Sequence, residues 1–203
     1  MGSRDITRSI AGLILSGGYS SRMGRDKALL PFGKHHTFLS YTYHKLGRLI
    51  PSIFVSIRND QEKTYSGLYP NYRFVSDEEN GWEGPLKGIL SLHSILKKEG
   101  EEASVLVMPV DMPYVYSKTL SELILRFQSS GKSVFYKTDE GLEPLCGLYD
   151  FSLLSSWQEE ENRIEFSPKR RLENSTIECL ELSTRERARF RNLNFPKDLK
   201  TKG

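Results

Sequence analysis

The chain has 203 residues, of which 37% are hydrophobic and 27% charged, with a formal net charge of +3. That length suits one domain with a full core. The composition excludes a disordered chain, and no apolar run nears the roughly 20 residues a bilayer helix needs. The mild positive charge is too dispersed for a nucleic-acid footprint and fits positive groups around one small anionic ligand.

The opening Met1-Gly2-Ser3-Arg4-Asp5-Ile6 is not a secretory signal, because the apolar stretch that follows is short and broken by Gly12. Ile6 stands where myristoylation would want Ser or Thr. Without a signal peptide, the acceptor pattern Asn174-Ser175-Thr176 is expected to stay unmodified. Cys146 and Cys179 make neither a metal spacing nor a disulfide framework, so two reduced thiols in a cytoplasmic protein are expected.

Three short apolar runs read as buried strands, at residues 10–15 (IAGLIL), 52–57 (SIFVSI) and 103–110 (ASVLVMPV). Each stops at polar or turn residues: Ser16-Gly17-Gly18, Arg58-Asn59-Asp60 and Asp111-Met112-Pro113. Between them, Phe38, Tyr41, Leu46 and Leu49 mark a helix closed before Pro51. Leu86, Ile89, Leu90, His93 and Leu96 mark a second helix at 3.6-residue spacing. Residues 132–138 and 144–149 read as two further strands, 151–160 as a helix, and the charged stretch 161–171 stays ambiguous. Strands alternating with helices predict a single α/β domain, a Rossmann-like, mostly parallel sheet with helices on both faces. In such sheets ligands sit beyond the carboxyl ends of the strands, which selects the same three polar stretches.

The richest of these is Leu15-Ser16-Gly17-Gly18-Tyr19-Ser20-Ser21-Arg22-Met23-Gly24-Arg25-Asp26-Lys27. Glycines let backbone N–H groups approach phosphate oxygens, Ser20 and Ser21 can add hydroxyl donors, and Arg22 and Lys27 bring fixed positive charge. A triphosphate needs this compensation as charge moves onto a leaving pyrophosphate. Arg25 after Gly24 excludes a Walker A loop, and Gly17-Gly18 with Gly24 does not fit a dinucleotide fingerprint. A plain glycine turn between strand and helix remains the alternative. Four histidines, His35, His36, His44 and His93, show no metal-ligand spacing, and His93 reads as a core residue. Lys169-Arg170-Arg171 reads as a solvated face.

The loop L-S-G-G-Y-S-S-R-M-G-R-D-K resembles that of the molybdenum cofactor guanylyltransferases, L-A-G-G-x-S-x-R-M-G-x-D-K, with Ser16 as its one departure. The likeness continues through Leu29-Leu30-Pro31-Phe32-Gly33 and Gly84-Pro85-Leu86-Lys87-Gly88-Ile89. It extends to Pro109-Val110-Asp111-Met112-Pro113-Tyr114, Glu143-Pro144-Leu145-Cys146-Gly147-Leu148-Tyr149 and the closing stretch 190–199. Val110, Phe195, Lys197 and residues 162–172 depart from the family pattern, the last on the pterin side.

The resemblance implies a nucleotide-diphospho-sugar transferase-like fold in one domain, nucleotide-binding over about 8–115 and acceptor-side over about 116–196. It implies that Leu15, Ser16, Gly17 and Gly18 cradle the nucleotide, while Arg22 and Lys27 neutralise phosphate charge. Asn59 and Asp77 would contact the nucleotide, and Asp111 would hold Mg²⁺, the alternative being that Asp111 caps the following helix. The activity implied is transfer of GMP from GTP to the phosphate of Mo-molybdopterin, by a cytoplasmic monomer that exchanges the pterin with delivering proteins or molybdoenzymes and has no nucleic-acid or membrane partner. A cytidylyltransferase acting on the same pterin and a non-catalytic nucleotide-binding protein on the same fold are the alternatives.

Overall fold

The computed structural model of the chain describes residues 8–16, 26–76, 81–160 and 165–193. In chain order its strands are β1 (Ile10–Leu15), β2 (Pro31–Phe32), β3 (His36–Thr37), β4 (Ile53–Ile57), β5 (Arg73–Ser76), β6 (Ser104–Pro109), β7 (Val134–Thr138), β8 (Gly141–Tyr149) and β9 (Glu178–Glu181). Its helices are α1 (Phe38–Gly47), α2 (Glu62–Leu68), α3 (Gly84–Lys98), α4 (Ser117–Ser130), α5 (Phe151–Gln158), α6 (Pro168–Glu173) and α7 (Thr184–Arg187). β2 and β3 form a small hairpin, and the other seven strands make one sheet in the order β5-β4-β1-β6-β8-β7-β9.

The sheet is mostly parallel. β5, β4, β1 and β6 run side by side in one direction, β8 is antiparallel to both β6 and β7, and β9 is parallel to β7. The expected third apolar run is β6, and the two later runs are the arms of the β7–β8 hairpin, β8 starting at Gly141 rather than at 144.

Both faces are covered, which is why the strands read as continuous apolar runs rather than alternating ones. Ile14, Val55, Ile57, Leu106, Met108 and Tyr136 point to one core, against Phe38, Leu39 and Leu46 of α1, Tyr65 of α2, and Leu120, Leu123 and Phe127 of α4. The residues between them, Leu13, Phe54, Val105, Val107 and Phe135, point to the other, against α3, Leu154 and Trp157 of α5, and Leu172 of α6. Fully burying one such side chain stabilises by roughly 1.5–3 kcal/mol, so each face contributes heavily before the entropy of ordering is set against it.

Local signals start and stop the helices. Thr37 and Ser40 form a capping box at α1, Asp150 caps α5 and Ser167 caps α6. Gly131 ends α4 at φ +71°, the left-handed conformation that favours glycine. Close approach matters at Gly88, where a Cβ would stand 2.3 Å from Ser56 Oγ, so the absent side chain lets α3 settle on β4.

His93 is fully buried on α3, as expected of a core residue, with Nε2 3.1 Å from Ser155 Oγ. Its Nδ1 has no hydrogen-bond partner, and burial pushes its pKa down to about 4.

The solvated reading of Lys169-Arg170-Arg171 fits Arg170 but not Arg171. Arg170 is exposed and pairs with Glu165 at 3.4 Å. Arg171 is buried, its guanidinium 4.8 Å from the Trp82 ring and 5.5 Å from the Trp157 ring. It donates to the Glu165 carbonyl at 2.6 Å and pairs with Glu160. A planar, weakly hydrated guanidinium suits such an aromatic setting well.

Candidate active site

β1, β4, β5 and β6 end at one edge of the sheet, and the loops that follow them build the site. β1 is stitched to its neighbours up to its last residue. Val110 N–H donates to the Leu15 carbonyl at 3.0 Å, and Ser16 N–H to the Ser56 carbonyl at 3.1 Å. The Ser16 hydroxyl also donates to the Ser56 carbonyl, at 2.8 Å. Ser16 replaces the alanine of the family pattern, and this bond satisfies its own buried hydroxyl. Leu15 and Ser16 thus fix where the chain leaves the sheet.

Lys27 and Asp111 meet beyond that root. Lys27 opens a 3₁₀ helix, Lys27–Leu29, while Asp111 lies in the turn after β6. Lys27 Nζ is 3.0 Å from Asp111 Oδ2, and the side chains are 13% and 21% exposed. Each is therefore shielded enough for its charge to act strongly, yet open enough to meet a ligand. Asp111 does not cap the following helix, because the N-cap of α4 is Tyr116. Its carbonyl accepts from Leu193 N–H at 3.0 Å, which ties the end of the described chain to the site.

Asn59 is exposed in the 3₁₀ turn Asn59–Gln61 at the end of β4. It faces solvent on the same edge, flanked by Arg58, which pairs with Asp60 at 2.9 Å. Gly17, Gly18, Arg22 and Asp77 lie outside the described residues. The site thus brings Leu15, Ser16, Lys27, Asn59 and Asp111 to one edge, with a direct contact between Lys27 and Asp111.

Among the described residues, no group of three or more His, Cys, Asp or Glu side chains is arranged to hold a metal ion. Asp111 is a single hard carboxylate. Such a donor fits a Mg²⁺ that takes most of its coordination from phosphate oxygens and water, and does not fit a closed all-protein cage.

Two supports of this site escape sequence reasoning. Lys45 is buried in α1, and its ammonium donates to the carbonyls of Pro113 at 2.5 Å and Val115 at 2.8 Å. It therefore holds the turn that carries Asp111. Burial lowers its pKa to about 8, opposed by the neighbouring Cys146 thiol. Burial in turn pushes that thiol up to about 12. The second support is Asp26, which caps Lys27–Leu29 and accepts from Gln61 and Tyr65. Burial first, and the Asp26 carboxylate second, raise the pKa of Tyr65, so its phenol remains a donor.

The β7–β8 hairpin rises at the same edge. Glu143 is half-buried there, its carboxyl raised chiefly by burial and accepting from Thr138 at 3.3 Å. Lys169 of α6 donates to the Glu140 carbonyl at 2.5 Å and braces the hairpin tip. Gly147 leaves room for the Phe135 ring, since a Cβ there would stand 2.2 Å from it.

Known proteins resemble this chain in fold and in sequence. The family described as MobA-like NTP transferase domain matches residues 12–173. A probable molybdenum cofactor guanylyltransferase of Rhodopirellula baltica is 31% identical over 94% of this chain and 90% of its own length. A molybdenum cofactor guanylyltransferase of Rhizobium meliloti is 31% identical over 93% of this chain and 88% of its own. The crystal structure of molybdopterin-guanine dinucleotide biosynthesis protein A from Archaeoglobus fulgidus superposes with a TM-score of 0.74 at 21% identity, covering 94% of this chain and 95% of that one. That likeness extends to the fold alone. With the match spanning most of the chain and the sheet edge built as described, the chain belongs to the MobA-like NTP transferase family.

Proposed function

We propose that the chain is a molybdenum cofactor guanylyltransferase, which joins GMP from GTP to the terminal phosphate of Mo-molybdopterin and releases pyrophosphate. The observation that carries this reading is the Lys27–Asp111 contact at the carboxyl edge of the sheet, in a chain about 30% identical over most of its length to proteins of that name.

A phosphate oxygen of the pterin attacks the α-phosphorus of GTP in line. The new bond joins that oxygen to the α-phosphorus, and the bond from the α-phosphorus to the pyrophosphate oxygen breaks. No covalent enzyme intermediate is needed, so positioning and charge compensation supply the catalysis. Lys27, fixed at the start of its 3₁₀ helix, offers an ammonium to the triphosphate as charge moves onto the leaving pyrophosphate. The backbone that leaves β1 at Leu15 and Ser16 leads into Gly17 and Gly18, which together cradle the nucleotide, with Arg22 as a second cation. Asn59 and Asp77 serve the nucleoside half. Asp111 holds Mg²⁺, which when bound lowers the electrostatic cost of bringing two phosphates together. The β7–β8 hairpin receives the acceptor. The enzyme acts as a cytoplasmic monomer.

Calorimetric titration with GTP, CTP, ATP and UTP, with and without Mg²⁺, tests this. The expected result is selective GTP binding that Mg²⁺ strengthens and that loses its Mg²⁺ dependence in Asp111→Ala. Selective binding of CTP would move the assignment to a cytidylyltransferase. Tight GTP binding without any transfer to the pterin would leave a nucleotide-binding protein rather than an enzyme.

A further inference from the structure

Three segments of the site edge converge on Asp26. Its Oδ1 accepts from Ala28 N–H at 3.1 Å and so caps the 3₁₀ helix that Lys27 opens. Its Oδ2 accepts from Gln61 Nε2 at 2.6 Å and from the Tyr65 hydroxyl at 2.9 Å. Gln61 and Tyr65 are both buried, so neither is poised to meet a ligand. Gln61 is fixed at its other end as well, where its Oε1 accepts from Arg58 N–H at 3.0 Å. One carboxylate therefore binds together the 3₁₀ helix that Lys27 opens, the turn that displays Asn59, and α2.

Both oxygens of Asp26 are engaged by these three donors, one on Oδ1 and two on Oδ2. Three donors also explain why the residue is an aspartate. An asparagine in the same place has one acceptor oxygen and one NH₂. Whichever way its amide turned, at least one of the three donors would face another donor. Leaving a buried donor without an acceptor costs more than the bond itself is worth.

We propose that Asp26 is a positioning residue for nucleotidyl transfer: through Gln61 and Tyr65 it couples the nucleoside-side turn at Asn59 to the placement of Lys27 against Asp111. The inference rests on the functional reading above and deepens it. A lysine that acts on the leaving pyrophosphate affects the transition state more than the bound ground state. Loosening its root should therefore lower kcat while leaving nucleotide affinity nearly intact.

The test compares wild type, Asp26→Asn, Tyr65→Phe and the double variant. The readouts are kcat and KM for GTP in the transfer assay, the GTP dissociation constant by calorimetry, and thermal denaturation. Asp26→Asn is expected to lower kcat by roughly 10- to 100-fold, with a dissociation constant within about 3-fold of wild type, since ground-state contacts are spared. Tyr65→Phe, which keeps the ring and removes one donor, should shift kcat the same way by several-fold. The double variant should lose less than the product of the two single losses, because both act on one network. Wild-type kcat in both single variants overturns the inference, and so does a dissociation constant that rises as far as kcat falls. Should Asp26→Asn fail to fold, Tyr65→Phe decides by the same split. A wild type that turns over no nucleoside triphosphate overturns the functional reading and this inference with it. An active wild type with unchanged variants overturns this inference alone.

Discussion

Lys27 and Asp111 are 84 residues apart in the chain and meet at 3.0 Å across the carboxyl edge of the sheet. The contact joins the start of the helix after the glycine loop to the turn after β6, and β1 and β6 are direct parallel neighbours in full register from Ile10 with Ser104 to Leu15 with Pro109. The register of two buried strands thus sets the spacing of a cation suited to phosphate and an anion suited to Mg²⁺. Anything that shifts either loop on its strand acts on this distance.

Lys45 is the first such control. Replacing it with Met removes the donors to the Pro113 and Val115 carbonyls, each of which would then cost about 1–3 kcal/mol. Against this stands the relief of no longer burying an ammonium whose pKa is pulled from 10.5 to about 8, worth about 3 kcal/mol. The second effect offsets much of the first in stability but does nothing for the geometry, because the turn after β6 loses its anchor. Lys45→Met should melt within a few degrees of wild type and lose about 10-fold or more in kcat. A denaturation curve paired with the transfer assay checks both halves.

Gly88 is the second. In Gly88→Ala the new Cβ would stand 2.3 Å from Ser56 Oγ and 3.0 Å from Ser56 Cβ, so the Ser56 hydroxyl must turn away or α3 shift on β4. Overpacking of this kind costs about 1–3 kcal/mol. Urea denaturation should show that loss as a lower midpoint with an unchanged slope.

His93 gives the protein an acid sensitivity. Its pKa is about 4 in the folded chain against 6.5 unperturbed, with burial as the main cause and Lys97 adding to it. Between those values the unfolded chain holds a proton that the folded chain does not, so stability falls as pH drops from 6.5 to 4 and levels off below. The loss attributable to this group is at most roughly 3 kcal/mol. His93→Gln should flatten that part of the curve of unfolding free energy against pH; an equally steep curve in the variant would remove His93 as the cause.

Much of the fold is legible in the sequence because β1, β4 and β6 are apolar runs that end abruptly in polar residues, and a parallel sheet buried on both faces demands such runs. The same endings locate the site edge. Ser16, Lys27, Asn59 and Asp111 stand there through strand order, a topological property that local patterns report well. What stayed hidden is non-local pairing. Lys45 sits beside Leu46 on a helix and nothing in its neighbours says that its ammonium turns inward to a loop 68 residues on. Asp26 reads as one more loop residue until Gln61 and Tyr65, 35 and 39 residues away, are placed against it. Arg171 reads as part of a solvated basic run because its aromatic neighbours, Trp82 and Trp157, come from other parts of the chain. Charged residues default to solvent in a sequence reading, and only packing shows which of them are enclosed.

The most direct measurement is Mg²⁺-dependent pyrophosphate release from GTP in the presence of Mo-molybdopterin, for wild type and Lys27→Ala side by side. Wild type should release pyrophosphate in step with formation of the guanine dinucleotide. Lys27→Ala should lose about 100-fold or more in kcat/KM, the effect of one missing charged donor at the developing charge. Near-normal turnover in Lys27→Ala would contradict the central claim, that the lysine held against Asp111 carries the transfer.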